Sequence, residues 1–285
     1  MRWPSVSRGG PASRANAQRN AKGTAARLER WAPARDALWA LLDRYVADGA
    51  RVAVAGAGNC HDVPLRRLAE RAVRVDLLDL DPRAAREARK RLLPELRRRV
   101  TVVREDVTGC VADELVRAAA AGGIPSVREA PATPLGSGGY DVVVGDLLYS
   151  QILYPALRDT TLPRERVGVV LARIDRPLVG SVVRRLHLSA PHGVVVHVHD
   201  PLGWWLEHRQ PVTLEEVLAA AATDVAAANE LVARGHGPTA CDPLAISLEA
   251  GMEPVETAFW RWPFQEGVDY LARAIVTRPG AARLH

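Results

Sequence analysis

The sequence predicts an α/β fold: a doubly wound sheet of seven strands, mostly parallel, that ends in an antiparallel hairpin. Short apolar runs rich in β-branched residues alternate with segments of helical periodicity from residue 50 onward. Such alternation is typical of right-handed β–α–β units, which place helices on both faces of a parallel sheet. The last two apolar runs are joined only by a short turn at 265–267, which predicts the hairpin.

The predicted strands follow one another in a regular order. Five apolar runs are separated by helical segments, and two further runs close the chain. Their sequences are RVAVAG at 51–56, VRVDLLDL at 73–80, RVTVVRED at 99–106, YDVVVGDLLYSQ at 140–151, GVVVHVHD at 193–200, and two runs within 253–278.

The helical segments between these strands carry apolar residues at three- and four-residue spacing. Asp62 is the predicted N-cap of the helix after the first strand, and Asp81 caps a helix that begins at Pro82. Residues 213–235 are rich in alanine and predict a single long helix.

Basic residues are concentrated at the N-terminus. The first 28 residues contain six basic residues and no acidic one, so the remainder of this +5 chain is close to neutral. We therefore predict a basic flexible arm at 1–28, a helical lead-in at 29–49 and one domain at 50–285. The neutral domain and the absence of a recognisable RNA-binding motif disfavour a nucleic-acid partner.

Cysteine usage and hydropathy are typical of a cytoplasmic protein. Cys60, Cys110 and Cys241 include no CxxC pair, so neither a disulfide framework nor a thiolate zinc site is predicted. No apolar run approaches the roughly 18 residues that span a bilayer. We expect a soluble, unexported protein without a membrane partner.

The segment AGAGNCHD at 55–62 directly follows the first strand. Gly56 and Gly58 allow a sharp turn and a close approach of a ligand to the backbone, and the amides at the start of the next helix offer donors. His61 stands where the dinucleotide fingerprint has its third glycine. An ordinary tight turn also favours glycine, so the loop alone does not identify a ligand.

Two acidic residues end the second and third strands. Asp79 comes about twenty residues after the glycine loop, where a carboxylate can accept hydrogen bonds from both hydroxyls of a ribose. Asp106 is placed to accept from an adenine amino group, with Leu80 and Val107 on either side of the ring. The alternative for each acid is a simple polar strand end. Together with the glycine loop, the acids predict a ligand that contains adenosine.

These stretches resemble the class I S-adenosylmethionine-dependent methyltransferases. The resemblance rests on VAVAGAGNCHD, VDLLDLDP, VVREDVTG and YDVVVGDLLYSQ, and it extends over residues 50–277. It implies a Rossmann-like sheet into which the terminal hairpin inserts an antiparallel strand, and S-adenosylmethionine as the cofactor. It also implies cofactor contacts for Gly56, Ala57, Gly58, Asn59, Asp62, Asp79, Leu80, Asp106 and Val107.

The exit of the fourth strand, GDLLYSQ, faces the transferred methyl group in that family. Asp146 is the candidate to orient or deprotonate an acceptor, and Tyr149 is the candidate to contact it; the alternatives are a helix cap and a packed core residue. Leucines replace both prolines of the DPPY motif of amino-group methyltransferases, so N-methylation is not implied. His199, at the end of the fifth strand, is a further candidate base.

Histidines in the fifth strand also raise the question of a metal. His197, His199 and Asp200 crowd together in VVVHVHD. A zinc site needs three or four ligands, and no other cluster in the sequence completes one, so no metal is predicted. We expect His197 to be a hydrogen-bonded residue inside the sheet.

Four tryptophans lie in the last third of the chain. Trp260 and Trp262 share one strand face and are predicted to pack in the core. Trp204 and Trp205 directly follow the fifth strand and are the better candidates for substrate contact.

The sequence thus predicts an enzyme that transfers a methyl group from S-adenosylmethionine to a small-molecule acceptor, of the kind found in specialised metabolism. Three alternatives stay open: a methyltransferase for RNA or protein that the basic arm helps to dock, a catalytically silent protein that binds the cofactor, and a nicotinamide-dependent oxidoreductase. The incomplete glycine fingerprint and the terminal hairpin count against the oxidoreductase.

Overall fold

The structure of the protein is a computed structural model that describes residues 9–22, 24–123, 126–127, 132–237 and 242–280 of the chain. Its strands are β1 (Arg51–Ala55), β2 (Arg74–Asp79), β3 (Val100–Arg104), β4 (Val142–Asp146), β5 (Val194–Trp204), β6 (Met252–Gln265) and β7 (Val268–Pro279). They form one sheet in the order β3-β2-β1-β4-β5-β7-β6.

The strand directions confirm the predicted fold class. Strands β1 to β5 pair in parallel, whereas β7 is antiparallel to both β5 and β6. The terminal hairpin is therefore present, and its second strand is inserted beside β5. The carboxyl ends of β1 to β5 consequently lie at one edge of the sheet.

Helices cover the sheet on both sides. They are α1 (Pro11–Asn20), α2 (Thr24–Arg30), α3 (Ala32–Leu42), α4 (Leu65–Arg71), α5 (Pro82–Lys90), α6 (Pro94–Arg97), α7 (Val111–Ala120), α8 (Tyr154–Arg158), α9 (Arg164–Ser189), α10 (Leu214–Ala221), α11 (Val225–Ala233) and α12 (Pro243–Glu249), and a short 3-10 turn spans Tyr149–Gln151.

Alternate residues of the central strands enter two separate cores. In β1, Val52 and Val54 pack with α3 to α6, whereas Ala53 and Ala55 pack with α7 to α9. Successive side chains of a strand point to opposite faces, so a strand buried on both faces is apolar at every position. This explains why the central strands read as continuous apolar runs.

Two local predictions about helices are wrong. Helix α4 begins at Leu65 after Pro64, so Asp62 is not its cap; the residue before a proline is disfavoured in a helix. The alanine-rich stretch forms α10 and α11 and not one helix, because the Asp224 side chain caps a new helix by accepting from the Ala226 amide at 2.8 Å. Asp81 does cap α5, as predicted.

The N-terminal segment differs from the flexible arm expected from its charge. Residues 11–20 form α1, whose buried Ala12 and Ala15 pack in the same core as α7 and α8. The Ala12 amide donates to Asp113 Oδ1 at 2.9 Å, which fixes the start of α1 on α7. Small side chains allow this close packing, and they leave no hydrophobic pattern for a sequence to show.

Within the described residues, no helix is both long and apolar enough to cross a membrane.

Asp200 is a buried acid at the carboxyl end of β5. Its side chain accepts from the Ser150 hydroxyl at 3.0 Å, and burial raises its pKa to about 7. Because the folded-state pKa is raised, this group's stabilisation is complete below about pH 4 and is lost as the pH rises to about 7.

We therefore expect Asp200→Asn to gain stability relative to the native protein as the pH rises from 4 to 8. The shift corresponds to about 4 kcal/mol at most, since each pKa unit is worth about 1.4 kcal/mol. Urea denaturation at a series of pH values measures it. Asp48→Asn, at a 96% exposed side chain, is the matched control and should show no such trend. A pH-independent difference between Asp200→Asn and the native protein would contradict the prediction.

Candidate functional site

A cavity lies at the carboxyl ends of β1 to β4, where the loops after parallel strands meet. The structure brings together in its lining all nine residues predicted for cofactor contact, and Asp146 as well. Two of the predicted catalytic residues, Tyr149 and His199, are not among the lining residues.

The turn after β1 requires its glycines. Gly56 has φ +79° and Gly58 has φ +46°, in the left-handed region. A Cβ atom at Gly56 would lie 3.0 Å from the Asp146 carbonyl oxygen, and one at Gly58 would lie 3.2 Å from Asn20 Oδ1. A side chain at Gly56 would crowd the end of β4 and one at Gly58 would crowd α1, so the bare backbone of the turn forms one wall of the cavity.

Asp79 connects this turn to the end of β2. Its Oδ2 atom accepts from the Gly58 amide at 2.8 Å, and Oδ1 accepts from the Asp81 amide at 2.7 Å and from Asn16 Nδ2 at 2.8 Å. Burial raises the pKa of Asp79, and these hydrogen bonds oppose the rise. The predicted ribose-binding carboxylate is thus in the cavity, with α1 already bound to it.

Asp106 is held by the turn that leads into α7. Its Oδ1 atom accepts from the Thr108 amide at 2.8 Å and from the Thr108 hydroxyl at 2.7 Å, while Oδ2 accepts from the Cys110 amide at 3.0 Å. Leu80 and Val107 line the same cavity. A carboxylate has about four lone-pair sites, so Asp106 retains capacity for one further donor.

Residues of α1 and α2 line the cavity, and we call these two helices its roof. The sequence did not predict this contact. Asn20 donates through Nδ2 to Asp81 Oδ2 at 3.3 Å, and its carbonyl oxygen accepts from Asn59 Nδ2 at 2.7 Å. Arg19 and Arg27 also line the cavity, and burial lowers the pKa of both, that of Arg19 to about 10. Both guanidinium groups therefore remain charged at neutral pH. The only sequence signal was the charge of this segment, which does not say where it docks.

Asp62 and Asp146 form a carboxyl pair at the centre of the cavity lining. Their side chains are hydrogen-bonded to each other, which requires a proton between them. Burial raises the pKa of both acids, and the neighbouring Asp62 charge raises that of Asp146 further. The next residue, Leu147, has φ +45°, a strained value for a side chain of its size.

Aromatic rings form the wall beyond this pair. Trp31, which lies between α2 and α3, packs against Trp262 and Phe264 of β6, with ring centroids 5.1 and 5.9 Å apart. All three rings line the cavity. Trp262 was predicted as core, and its 4% exposure agrees with that, but it also borders the cavity. Trp204 and Trp205, the candidates for substrate contact, do not line it.

Tyr149 and His199 occupy the interior beside the site. The Tyr149 hydroxyl lies 2.5 Å from His197 Nδ1, and His197 Nε2 lies 3.1 Å from the Thr277 hydroxyl, so His197 is the hydrogen-bonded sheet residue that was predicted. Burial and the nearby Arg273 lower the pKa of His199 to about 3. A histidine with so low a pKa is a weak proton acceptor.

Among the residues that the structure describes, no group of three or more His, Cys, Asp or Glu side chains is arranged to hold a metal ion.

Comparisons with known proteins bear on the fold. No protein-family model and no curated protein matches the sequence. Solved structures of S-adenosylmethionine-dependent methyltransferases match the chain over most of its length. The N-methyltransferase NodS from Bradyrhizobium japonicum, in complex with S-adenosylhomocysteine, is 14% identical, with 93% of this chain and 98% of NodS covered and a TM-score of 0.44.

Two further solved structures are similar to the chain. A Pyrococcus horikoshii protein, provisionally described as an RNA methyltransferase, is 14% identical with 91% of each chain covered and a TM-score of 0.45. A Burkholderia thailandensis 1,6-didemethyltoxoflavin-N1-methyltransferase is 18% identical, with 88% of this chain and 78% of that chain covered and a TM-score of 0.40.

The position of Tyr149 makes its role testable. We expect Tyr149→Phe to lower the free energy of unfolding by about 1–2 kcal/mol, because a buried ring nitrogen of His197 loses its partner. Binding of S-adenosylhomocysteine should be unchanged, because Tyr149 does not line the cavity. Chemical denaturation and calorimetry measure the two effects.

Tyr154→Phe serves as the control, since Tyr154 is 38% exposed. Unchanged stability together with lost binding in Tyr149→Phe would show that Tyr149 belongs to the site.

Proposed function

We propose that the protein is an S-adenosylmethionine-dependent methyltransferase that acts on a small molecule. The observation that carries the proposal is the hydrogen bond from the Gly58 amide to Asp79, 2.8 Å long. It joins the glycine turn after β1 to the carboxylate at the end of the adjacent β2. Backbone and carboxylate thereby form one continuous wall, which suits a ligand with a ribose and a polar chain.

The cavity also fits the two ends of this cofactor. Asp79 would accept from the ribose hydroxyls, and Asp106 would accept from the adenine amino group between Leu80 and Val107. Arg19 and Arg27 supply positive charge in the cavity wall, which favours the carboxylate of the methionine part.

For methyl transfer itself, the protein needs mainly to position the cofactor and the acceptor. When bound, the cofactor supplies a methyl group already activated on a sulfonium sulfur. The chain must hold an acceptor in line and exclude water. Residues of α1 and α2 and the rings of Trp31, Trp262 and Phe264 line the cavity and would exclude water once the ligands are bound.

Enclosure favours a small acceptor over RNA or protein. Residues of α1 and α2 and the β6 aromatic rings belong to the cavity lining. A macromolecular substrate would have to displace this roof, whereas a small molecule needs only to enter beneath it. Binding of RNA would also fall steeply with salt, because phosphate contacts release counterions.

Calorimetric titration tests the cofactor. We expect S-adenosylmethionine and S-adenosylhomocysteine to bind with micromolar affinity and NAD to bind far more weakly. Asp79→Ala should weaken binding at least 100-fold, because the ribose loses its acceptor and the Gly58 amide loses its partner.

Asp81→Asn is the matched control: it lies two residues away, lacks a predicted ligand contact and retains an oxygen to cap α5. A preference for NAD, or equal affinity in Asp79→Ala, would refute the proposed cofactor.

Substitution of Asn16 is a second test of the same site. Its amide donates to Asp79 Oδ1 at 2.8 Å, where a ribose hydroxyl would also bind. We expect Asn16→Ala to bind S-adenosylhomocysteine about fivefold more tightly, because a hydrogen bond worth about 1 kcal/mol no longer competes. Calorimetry measures the change, with Gln18→Ala on the exposed side of α1 as the control. Weaker binding would show instead that Asn16 closes over the bound cofactor.

A further inference from the structure

We propose that the aromatic part of the cavity is an acceptor subsite for a planar aromatic molecule with an O–H or N–H nucleophile, and that Asp62 and Asp146 together take up its proton. The inference rests on the proposed function. It adds a class of acceptor, and it assigns Asp62 to the acceptor and not to the cofactor contact that the family resemblance implies.

Three rings shape the subsite. Trp31 and Phe264 are stacked at an interplanar angle of 22°, and Trp262 meets both edge-on, at 63° and 71°. Flat apolar walls bind a flat ligand with the largest contact area for the least ordering of either partner.

Charge at these rings favours a neutral ligand. The guanidinium carbon of Arg27 lies 5.4 Å from the Trp31 ring centroid and 5.8 Å from that of Phe264. This cation already occupies the position that a ligand ammonium would take over the rings, and it would repel a second positive charge.

Unpartnered polar atoms show that the ligand is also polar. Trp262 Nε1 and His61 Nδ1 are buried and have no hydrogen-bond partner among the described residues. Both residues line the cavity and are at most 4% exposed. Buried polar groups in folded proteins are normally hydrogen-bonded, so these atoms call for a ligand that can both donate and accept. Burial and neighbouring arginines lower the pKa of His61 to about 4, which leaves it neutral.

The carboxyl pair supplies the proton acceptor. Arg27 and Arg35 favour the ionised form of Asp62, whereas Asp146 has no such cation and feels the Asp62 charge. Asp146 therefore holds the shared proton and donates it to Asp62. The Asp146 oxygen that does not face Asp62 then accepts a hydrogen bond from the acceptor.

Methyl transfer also releases the proton of the acceptor, which the carboxyl pair takes up. The acceptor's O–H or N–H bond breaks as its bond to the methyl carbon forms, and the electron pair of the methyl–sulfur bond stays on sulfur. The acceptor proton passes to the Asp146 oxygen that does not face Asp62, and the proton that Asp146 shared passes to Asp62. Both carboxyl groups end neutral, which suits their burial.

The test uses the full-length protein saturated with S-adenosylhomocysteine. Three flat hydroxyaromatic probes, 4-nitrophenol, 5-hydroxyindole and 7-hydroxycoumarin, are titrated by calorimetry, with cyclohexanol as the non-aromatic control. We expect at least one probe to bind ten times more tightly than cyclohexanol. Trp262→Ala should weaken that binding at least tenfold. Trp262→Phe keeps a ring and lacks the unpartnered N–H, so it should weaken probe binding less. This variant replaces Trp262→Ala in the test if Trp262→Ala does not fold. Trp205→Phe, outside the cavity, should have no effect.

The proton step is tested with Asp62→Asn and Asp146→Asn. Each should bind S-adenosylhomocysteine and the best probe within threefold of the native protein, because an amide oxygen can still accept. Methyl transfer from S-adenosylmethionine to that probe, followed by mass spectrometry of the methylated product, should fall at least 100-fold in each, the usual effect of losing a general base.

Several results would overturn the inference. The aromatic subsite is refuted if every probe binds no more tightly than cyclohexanol, or if probe binding is unchanged in both Trp262 variants. The role of Asp62 and Asp146 as proton acceptors is refuted if no probe is methylated, or if both Asp variants methylate the probe at the native rate. Failure to bind S-adenosylhomocysteine at all refutes the proposed function itself, and that titration comes before any probe is added.

Discussion

The hydrogen bonds of Asp79 are the interaction on which the rest of the site depends. A buried carboxylate is costly unless it is hydrogen-bonded. Asp79 meets this requirement with donors from three segments: the turn after β1, its own loop after β2, and α1. Satisfying one charge therefore fixes the glycine turn against β2 and docks the N-terminal helix over the cavity. The same bonds set the position of the wall that a ribose would meet.

The two halves of the cavity differ in how their charges are compensated. On the β2 and β3 side, Asp79 accepts two hydrogen bonds from backbone amides and one from Asn16. Asp106 accepts two from backbone amides and one from the Thr108 hydroxyl. On the β4 side, Asp146 and Asp62 have mainly each other, so they share a proton. A fully bonded acid suits a fixed binding role, whereas a proton-sharing pair suits chemistry in which a proton moves.

The N-terminal helices give the site an enclosed form that the strand ends alone would lack. Small residues let α1 lie close on α7 and α8, and Asp113 fixes its first turn. From there Asn16 and Asn20 form hydrogen bonds with the loops after β1 and β2, and Arg19 lines the cavity. Basic residues that were expected to contact solvent thus border a cavity, where burial lowers the pKa of Arg19 and Arg27.

The sequence by itself determined the strands, their alternation with helices, the terminal hairpin and the acids at the strand ends, because each depends on local pattern: apolar periodicity, glycine at a turn, aspartate after a strand. Tertiary structure alone decided which distant side chains meet. The pairing of Asp62 with Asp146, the contact of Asn16 with Asp79, the seclusion of Tyr149 and His199 from the cavity, and the presence of Trp262 at its wall involve residues separated by dozens to hundreds of positions. No local pattern encodes such distances; they follow from how strands pair and how closely helices pack.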